Sequence, residues 1–212
     1  MIMKKLTSIR LIKQPKNTPY CGVACINMVL KYYDKTCLKM DDVWNHISSV
    51  SPSGRRYCKT YKMGKYLEQN QLVTSVIKFK ELDAVLKYCK DNRIPGILNM
   101  HSFQNENLGH FILVINYNGK IIIIRDPENE NRTIVKYDEL ERLCIRNNEF
   151  DEIGENTIIL SSERTGNEEI YSCNKCHASN VIHENLEDMI YGYVCKTCDA
   201  FNELGQRISH GN

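Results

Sequence analysis

The sequence predicts an α+β protein: a helical part packed on a central antiparallel sheet, with a small C-terminal four-cysteine zinc ribbon. Three observations predict it. A helical apolar pattern starts at Cys21, straight after a Pro-rich coil. Two β-branched apolar runs flank Asn118-Gly119. Two Cys-x-x-Cys pairs, Cys173/Cys176 and Cys195/Cys198, stand on either side of residues 177–194.

Size and charge bound the rest. A chain of 212 residues holds one domain of moderate size plus a small module. A net charge of +2 gives no strong pull toward nucleic acid or membrane. No run approaches the ~20 apolar residues of a membrane span. After Met1-Ile2-Met3-Lys4-Lys5, the residues Thr7, Ser8 and Arg10 interrupt what a signal peptide would keep apolar. With ten cysteines, a reducing, cytoplasmic setting is expected. No internal repeat and no phosphate-binding loop stands out.

Gln14-Pro15-Lys16-Asn17-Thr18-Pro19 reads as coil, and a helix then starts at Cys21 or Gly22. Val23, Ile26, Leu30 and Tyr33 recur on one helical face. Cys21 thus sits where unpaired N–H groups and the positive dipole end favour a thiolate. Gly22 would let a substrate backbone come close to the sulfur. Cys25, Cys37, Cys58, Cys89 and Cys144 read as small buried hydrophobes.

The middle of the chain reads as helix 63–69, strand 72–77, helix 82–89 and strand 94–100. Next comes the strongest hairpin signal, from Gly109-His110 to Asp126-Pro127. A two-residue Asn118-Gly119 loop would set His110 opposite Pro127. A three-residue loop, pairing Asn116 with Lys120, would set His110 directly opposite Asp126. A Cys–His–Asp triad demands the second register, which is therefore expected. Both hairpin faces are apolar, so the sheet should be covered on both sides. A strand at 133–137, a short helix at 138–144 and a strand at 157–160 follow.

These residues carry a family resemblance. Gln…Cys-Gly-x-Ala-Cys-x-x-Met-Val-Leu-x-Tyr-Tyr, then Gly-His-Phe-x-x-Val and Asp-Pro, resembles the bacteriocin-processing (double-glycine) peptidases. The resemblance covers about residues 5–162 and implies a papain-like cysteine peptidase fold. It implies Cys21 as nucleophile, His110 as general base and acid, and Asp126 as the group that orients His110. It also implies an upstream Gln, here Gln14, as oxyanion donor with the Cys21 backbone N–H. Gln14 lies one residue further upstream than the family's Gln, and Tyr20 replaces a common acidic residue. A one-residue bulge in the Pro-rich loop would absorb the first difference.

The expected domain of residues 1–162 ends at a polar linker, 163–169, before the zinc-ribbon module of 170–212. The spacing of Cys173, Cys176, Cys195 and Cys198 lets two knuckles aim four thiolates at one ion, which suits structural Zn²⁺. The alternative is two disulfides, which a reducing compartment disfavours. His177 and His183 could stand in for a ligand, but four cysteines suffice. A module this small needs the metal for much of its folding free energy. Short strands are expected at 179–184 and 191–194.

The expected reaction is acyl transfer on a peptide or protein substrate through a Cys21 thioester. Two other readings stay open. One is a glutamine deamidase or transglutaminase using the same triad. The other is an inactive papain-like binding module whose zinc ribbon recruits a protein partner; nothing here argues for nucleic acid. Two basic stretches, Lys4-Lys5-Arg10-Lys13-Lys16 and Arg55-Arg56-Lys59-Lys62-Lys65, read as solvated faces, or more sharply as the rim of a cleft for an acidic substrate.

Overall fold

The computed structural model describes residues 5–51, 54–146, 153–163 and 168–204. Lys4 lies outside them, as does the part of the expected linker at 164–167.

Alternating strands whose two faces are both apolar must be covered twice, and the sheet obeys this. Its core strands are β3 (Val73–Phe79), β4 (Gly96–His101), β5 (Gly109–Tyr117), β6 (Ile121–Arg125), β7 (Ile134–Lys136) and β8 (Thr157–Ser162). Two more, β11 (Ile190–Val194) and β12 (Phe201–Glu203), come from the C-terminal segment. The order is β12-β11-β3-β8-β4-β5-β6-β7, with antiparallel pairing throughout.

On one face lie α1 (Cys21–Tyr32), α2 (Met40–Ile47) and α3 (Thr60–Gln69). Phe111, Leu113, Ile115, Ile97 and Ile159 point into that side with Val23, Ile26 and Leu30. On the other lie α4 (Leu82–Asp91) and α5 (Tyr137–Cys144). Ile112, Val114, Leu98 and Leu160 pack there with Val85 and Leu86. Every residue of α1 from Cys21 to Leu30 is buried, so this helix is core on all sides rather than along one face.

Elements that the sequence reading did not expect include α2, and a hairpin of β1 (Ser48–Val50) and β2 (Arg56–Cys58). Both are too short for apolar periodicity to mark them. In the C-terminal segment, β9 (Glu169–Ser172) pairs with β10 (Ser179–Ile182).

The hairpin register differs from both readings of the sequence. Tyr117 pairs with Ile122, and a bulge between Val114 and Asn116 resets the ladder so that Leu113 faces Arg125. The reason is the side chain of Asn118. Its Oδ1 accepts the N–H groups of Lys120 (3.2 Å) and Ile121 (2.9 Å), which makes Asn118 the first corner of the turn. Gly119, at φ +94°, takes the first central position with Lys120 beside it. Continued, this ladder would set Ile112, not His110, against Asp126.

Candidate functional site

The site is built where α1 begins and β5 begins. Cys21 is the first residue of α1 and is 8% exposed. One turn later, the Cys25 thiol donates to the Phe111 carbonyl (3.5 Å), tying this turn of α1 to β5 beside His110. His110, second in β5, is buried.

Asp126 follows the last residue of β6. It reaches His110 despite the register: His110 Nε2 and Asp126 Oδ1 are 2.8 Å apart. The chain leaves the ladder after Arg125 and turns at Asp126-Pro127, so the carboxylate approaches from a loop. Oδ1 also accepts the Glu128 N–H (2.9 Å), and Oδ2 accepts Arg132 Nη1 (2.9 Å). The second imidazole nitrogen, Nδ1, is thereby left free of Asp126, and the ring lies near enough to the Cys21 thiol for that group to help hold its proton.

Charge follows from these contacts. Burial alone would push the His110 imidazolium down, but Asp126 and Cys21 outweigh it and hold His110 above its ordinary value. Burial would push the Asp126 carboxyl up; His110, the Glu128 N–H and Arg132 hold it below the ordinary carboxylate range. An imidazole kept protonated next to a thiol is an arrangement that can run nucleophilic chemistry.

Gln14, Cys21 and His110 line one cleft with Pro19, Asn99, Ser102, Leu108 and Glu128. Gln14 Nε2 donates to the Thr18 carbonyl (2.9 Å), while its Oε1 is buried without a hydrogen-bond partner among the described residues. Its backbone N–H donates to the Pro127 carbonyl (3.0 Å), which ties the Gln14 loop to the Asp126 loop. Arg55 and Arg56 also line the cleft, whereas Lys59 pairs with Asp199 (3.3 Å) and Lys62 donates to the Ser48 carbonyl (2.9 Å).

Gly22 does not open the sulfur to a substrate as expected. A Cβ there would lie 2.8 Å from Cys58 Sγ and 3.0 Å from Met63 Sδ. The missing side chain admits α3 and β2 against α1 instead. Cys58 therefore lines the cleft beside Cys21, and burial holds its thiol well above the ordinary range.

The four C-terminal cysteines converge. The sulfurs of Cys173, Cys176, Cys195 and Cys198 all lie within 4.8 Å of one another. Cys173 to Cys198 and Cys176 to Cys195 are each 3.7 Å. Four sulfurs ~2.3 Å from one tetrahedral ion would stand ~3.8 Å apart, so the donor set fits such an ion. His177 and His183 are not in the cluster. His183 bridges Ser75 Oγ (2.6 Å) and Ser162 Oγ (3.0 Å) instead.

Against expectation, the two knuckles are an internal repeat, Cys-x-x-Cys-x-Ala-x-Asn, at 173–180 and 195–202. His177 and Asp199 have φ +60° and +64°. Each donates its N–H to the carbonyl of the first cysteine of its own pair (2.9 and 3.0 Å). Asn180 Oδ1 accepts the Lys196 N–H (3.0 Å), and Asn202 Oδ1 accepts the Asn174 N–H (2.8 Å). Each asparagine thus reaches across to the other knuckle, a pseudo-two-fold exchange. Ala178/Ala200 and Asn180/Asn202 are the signal by which the repeat could have been found.

This segment is joined to the sheet. β11 runs antiparallel to β3, and the buried Lys196 Nζ donates to Glu68 Oε1 (2.6 Å) and the Thr74 carbonyl (2.6 Å). Of the other residues in the cleft, sequence reasoning missed Asn99, whose Oδ1 accepts the Gly154 N–H. It also missed Arg132, which carries no local signal.

Comparison with known proteins bears on this geometry. The model of the peptidase C39 family matches residues 9–144. No curated protein matches the chain. The fold is similar to the peptidase domain of Streptococcus ComA, a bifunctional ABC transporter of a quorum-sensing pathway. There the TM-score is 0.53 at 17% identity, over 74% of this chain and 99% of that one. It is equally similar (0.53) to a C39-like peptidase from Bacillus anthracis, at 14% identity over 76% of this chain and 97% of that one. A double glycine motif protease from an AMS/PCAT transporter, crystallised with its leader peptide, gives 0.49. Its identity is 22%, over 77% of this chain and 97% of that one.

Proposed function

Since the chain belongs to the peptidase C39 family and is a cysteine peptidase, we propose that it cleaves a peptide or protein substrate with Cys21, His110 and Asp126. The observation that carries the reading is the buried His110–Asp126 pair, 2.8 Å apart, in a cleft that the helix-start thiol of Cys21 also lines.

In this mechanism the Cys21 thiolate attacks the scissile carbonyl and forms the C–S bond. The Cys21 backbone N–H and a Gln14 amide hydrogen hold the oxyanion. His110 gives its proton to the leaving amine as the C–N bond breaks, leaving a thioester. Water, deprotonated by His110, then releases the acid and restores the thiol. Asp126 keeps Nε2 engaged so that Nδ1 faces the sulfur.

The zinc ribbon belongs to the same proposal. Cys173, Cys176, Cys195 and Cys198 would hold one Zn²⁺; a closed four-thiolate shell leaves no position for water and makes the ion structural. Residues 1–162 form the peptidase body and 170–212 the ribbon, which is fixed to the body by β11 and Lys196. A protein partner would meet the ribbon at its exposed Ile170, Tyr191 and Phe201. A reducing compartment, such as the cytoplasm, suits five thiols that must stay unoxidised to work.

The test incubates the protein and its Cys21→Ser variant with an internally quenched peptide containing a Gly-Gly pair and a glutamine. Products are read by mass spectrometry. Two shorter products from the wild type alone support the peptidase. An intact peptide gaining the mass difference between a carboxyl and an amide indicates the deamidase. Equal products from both proteins overturn the role of Cys21.

A further inference from the structure

A buried carboxylate is costly unless each oxygen is paired. The Asp126 side chain is fully buried. Its Oδ1 is satisfied by His110 and by the Glu128 N–H. Oδ2 is satisfied by Arg132 Nη1 at 2.9 Å. Arg132 lies between β6 and β7, where a turn donates its N–H to the Asn129 carbonyl (3.0 Å). Its guanidinium carbon stacks 4.1 Å over the ring of Phe103, and its side chain is 24% exposed. Phe103 belongs to the β4–β5 segment whose Ser102 and Leu108 wall the cleft.

We infer that Arg132 is a positioning residue of the peptidase: it clamps Asp126 by Oδ2 and braces it against Phe103, so that the carboxylate stays charged and aimed at His110. The inference rests on the triad reading above.

The neighbours leave this task to Arg132. From β5, His110 faces Oδ1. Across α1, Cys25 feels the Asp126 charge as a thiol that burial already holds up. Arg125 spends its guanidinium on the Ile9 and Ile124 carbonyls. Glu130 pairs with Lys13 at 2.5 Å. A planar guanidinium suits the position because it can bond a carboxylate edge-on and stack on a ring face at once.

Two readouts test this. The first is the pH dependence of Cys21 alkylation by iodoacetamide, followed on the Cys21 peptide, which needs no substrate. The second is kcat and KM on the Gly-Gly peptide. Without Arg132, Oδ2 is buried with no partner, and the Asp126 carboxyl loses one of the contacts that hold it down beside His110 and the Glu128 N–H. In Arg132→Ala the acid limb of alkylation should therefore move up by about one pH unit or more. Its kcat should fall about ten- to a hundredfold with KM little changed, as for a small misplacement behind the reacting atoms. Arg132→Lys should restore the acid limb but not kcat, because it keeps the charge and loses the stacked plane. Arg132→Gln, which keeps a donor but no charge, should show the shifted limb. This Lys/Gln pair decides the matter even if Arg132→Ala fails to fold. Wild-type limbs and rates in the Lys and Gln variants, with Asp126→Asn inactive, overturn the role of Arg132 alone. An unchanged Asp126→Asn overturns the triad and this inference with it.

Discussion

His110 is held protonated where water scarcely reaches, and that sets its pH behaviour. Because Asp126 and Cys21 hold its folded value above the ordinary 6.5, the imidazolium persists past the pH at which a free histidine loses its proton. The alkaline limb of kcat/KM should accordingly lie above 6.5, and Asp126→Asn should bring it down. A rate profile against pH checks this, and a limb left in place by the substitution contradicts it. Gln14→Ala should lower kcat by about a hundred- to a thousandfold with KM nearly constant, the usual cost of one oxyanion donor. Steady-state kinetics on the same peptide read it. Gly22→Ala is a packing test: its new Cβ would need the room of Cys58 Sγ and Met63 Sδ. It should cost about 1–3 kcal/mol of stability, seen as a lowered urea midpoint. A neutral result would mean that β2 and α3 yield easily.

Between elements, the joint of the C-terminal segment to β3 and β8 rests on buried polar groups as well as on the β11–β3 ladder. His183 is fixed between Ser75 and Ser162. Burial first, and the Lys196 charge second, hold it down at about 4 against its ordinary 6.5. Between those two values the unfolded chain takes up a proton that the folded chain refuses. Stability contributed here is therefore present above 6.5 and is lost as pH falls toward 4, by at most about 3 kcal/mol. His183→Gln removes the titration. The stability gap between wild type and variant, measured by denaturant melts, should shrink or reverse as pH drops through this interval. A gap independent of pH would show that His183 does not titrate this way.

At the scale of the whole molecule, the ribbon extends the sheet that carries the cleft. β12 and β11 continue through β3 and β8 to β4, next to β5 with its His110. If the four cysteines hold Zn²⁺ as proposed, its binding would be folding free energy for the sheet as well as for the knuckles. A thiol-competent chelator should lower the melting temperature of the full chain and reduce peptidase activity, and added Zn²⁺ should restore both. Activity and melting temperature unchanged after measured metal loss would mean that the body stands without its ribbon.

What the sequence determined by itself was whatever a short stretch can encode. Cys21 at a helix start, strands with two apolar faces, and knuckles spaced for one ion each follow from local periodicity, turn chemistry or ligand spacing, which act over a few residues. Only the tertiary structure decided how those stretches meet. The Asn118 side chain moved the turn and broke the register that was to pair His110 with Asp126, yet the loop after β6 delivered the carboxylate anyway. Asn99 entered the cleft and Arg132 reached Asp126 from behind without any local mark, and two strands of the C-terminal segment joined the main sheet. Such outcomes depend on packing and hydrogen bonds between segments far apart in the chain, and a pattern read a few residues at a time carries no record of them.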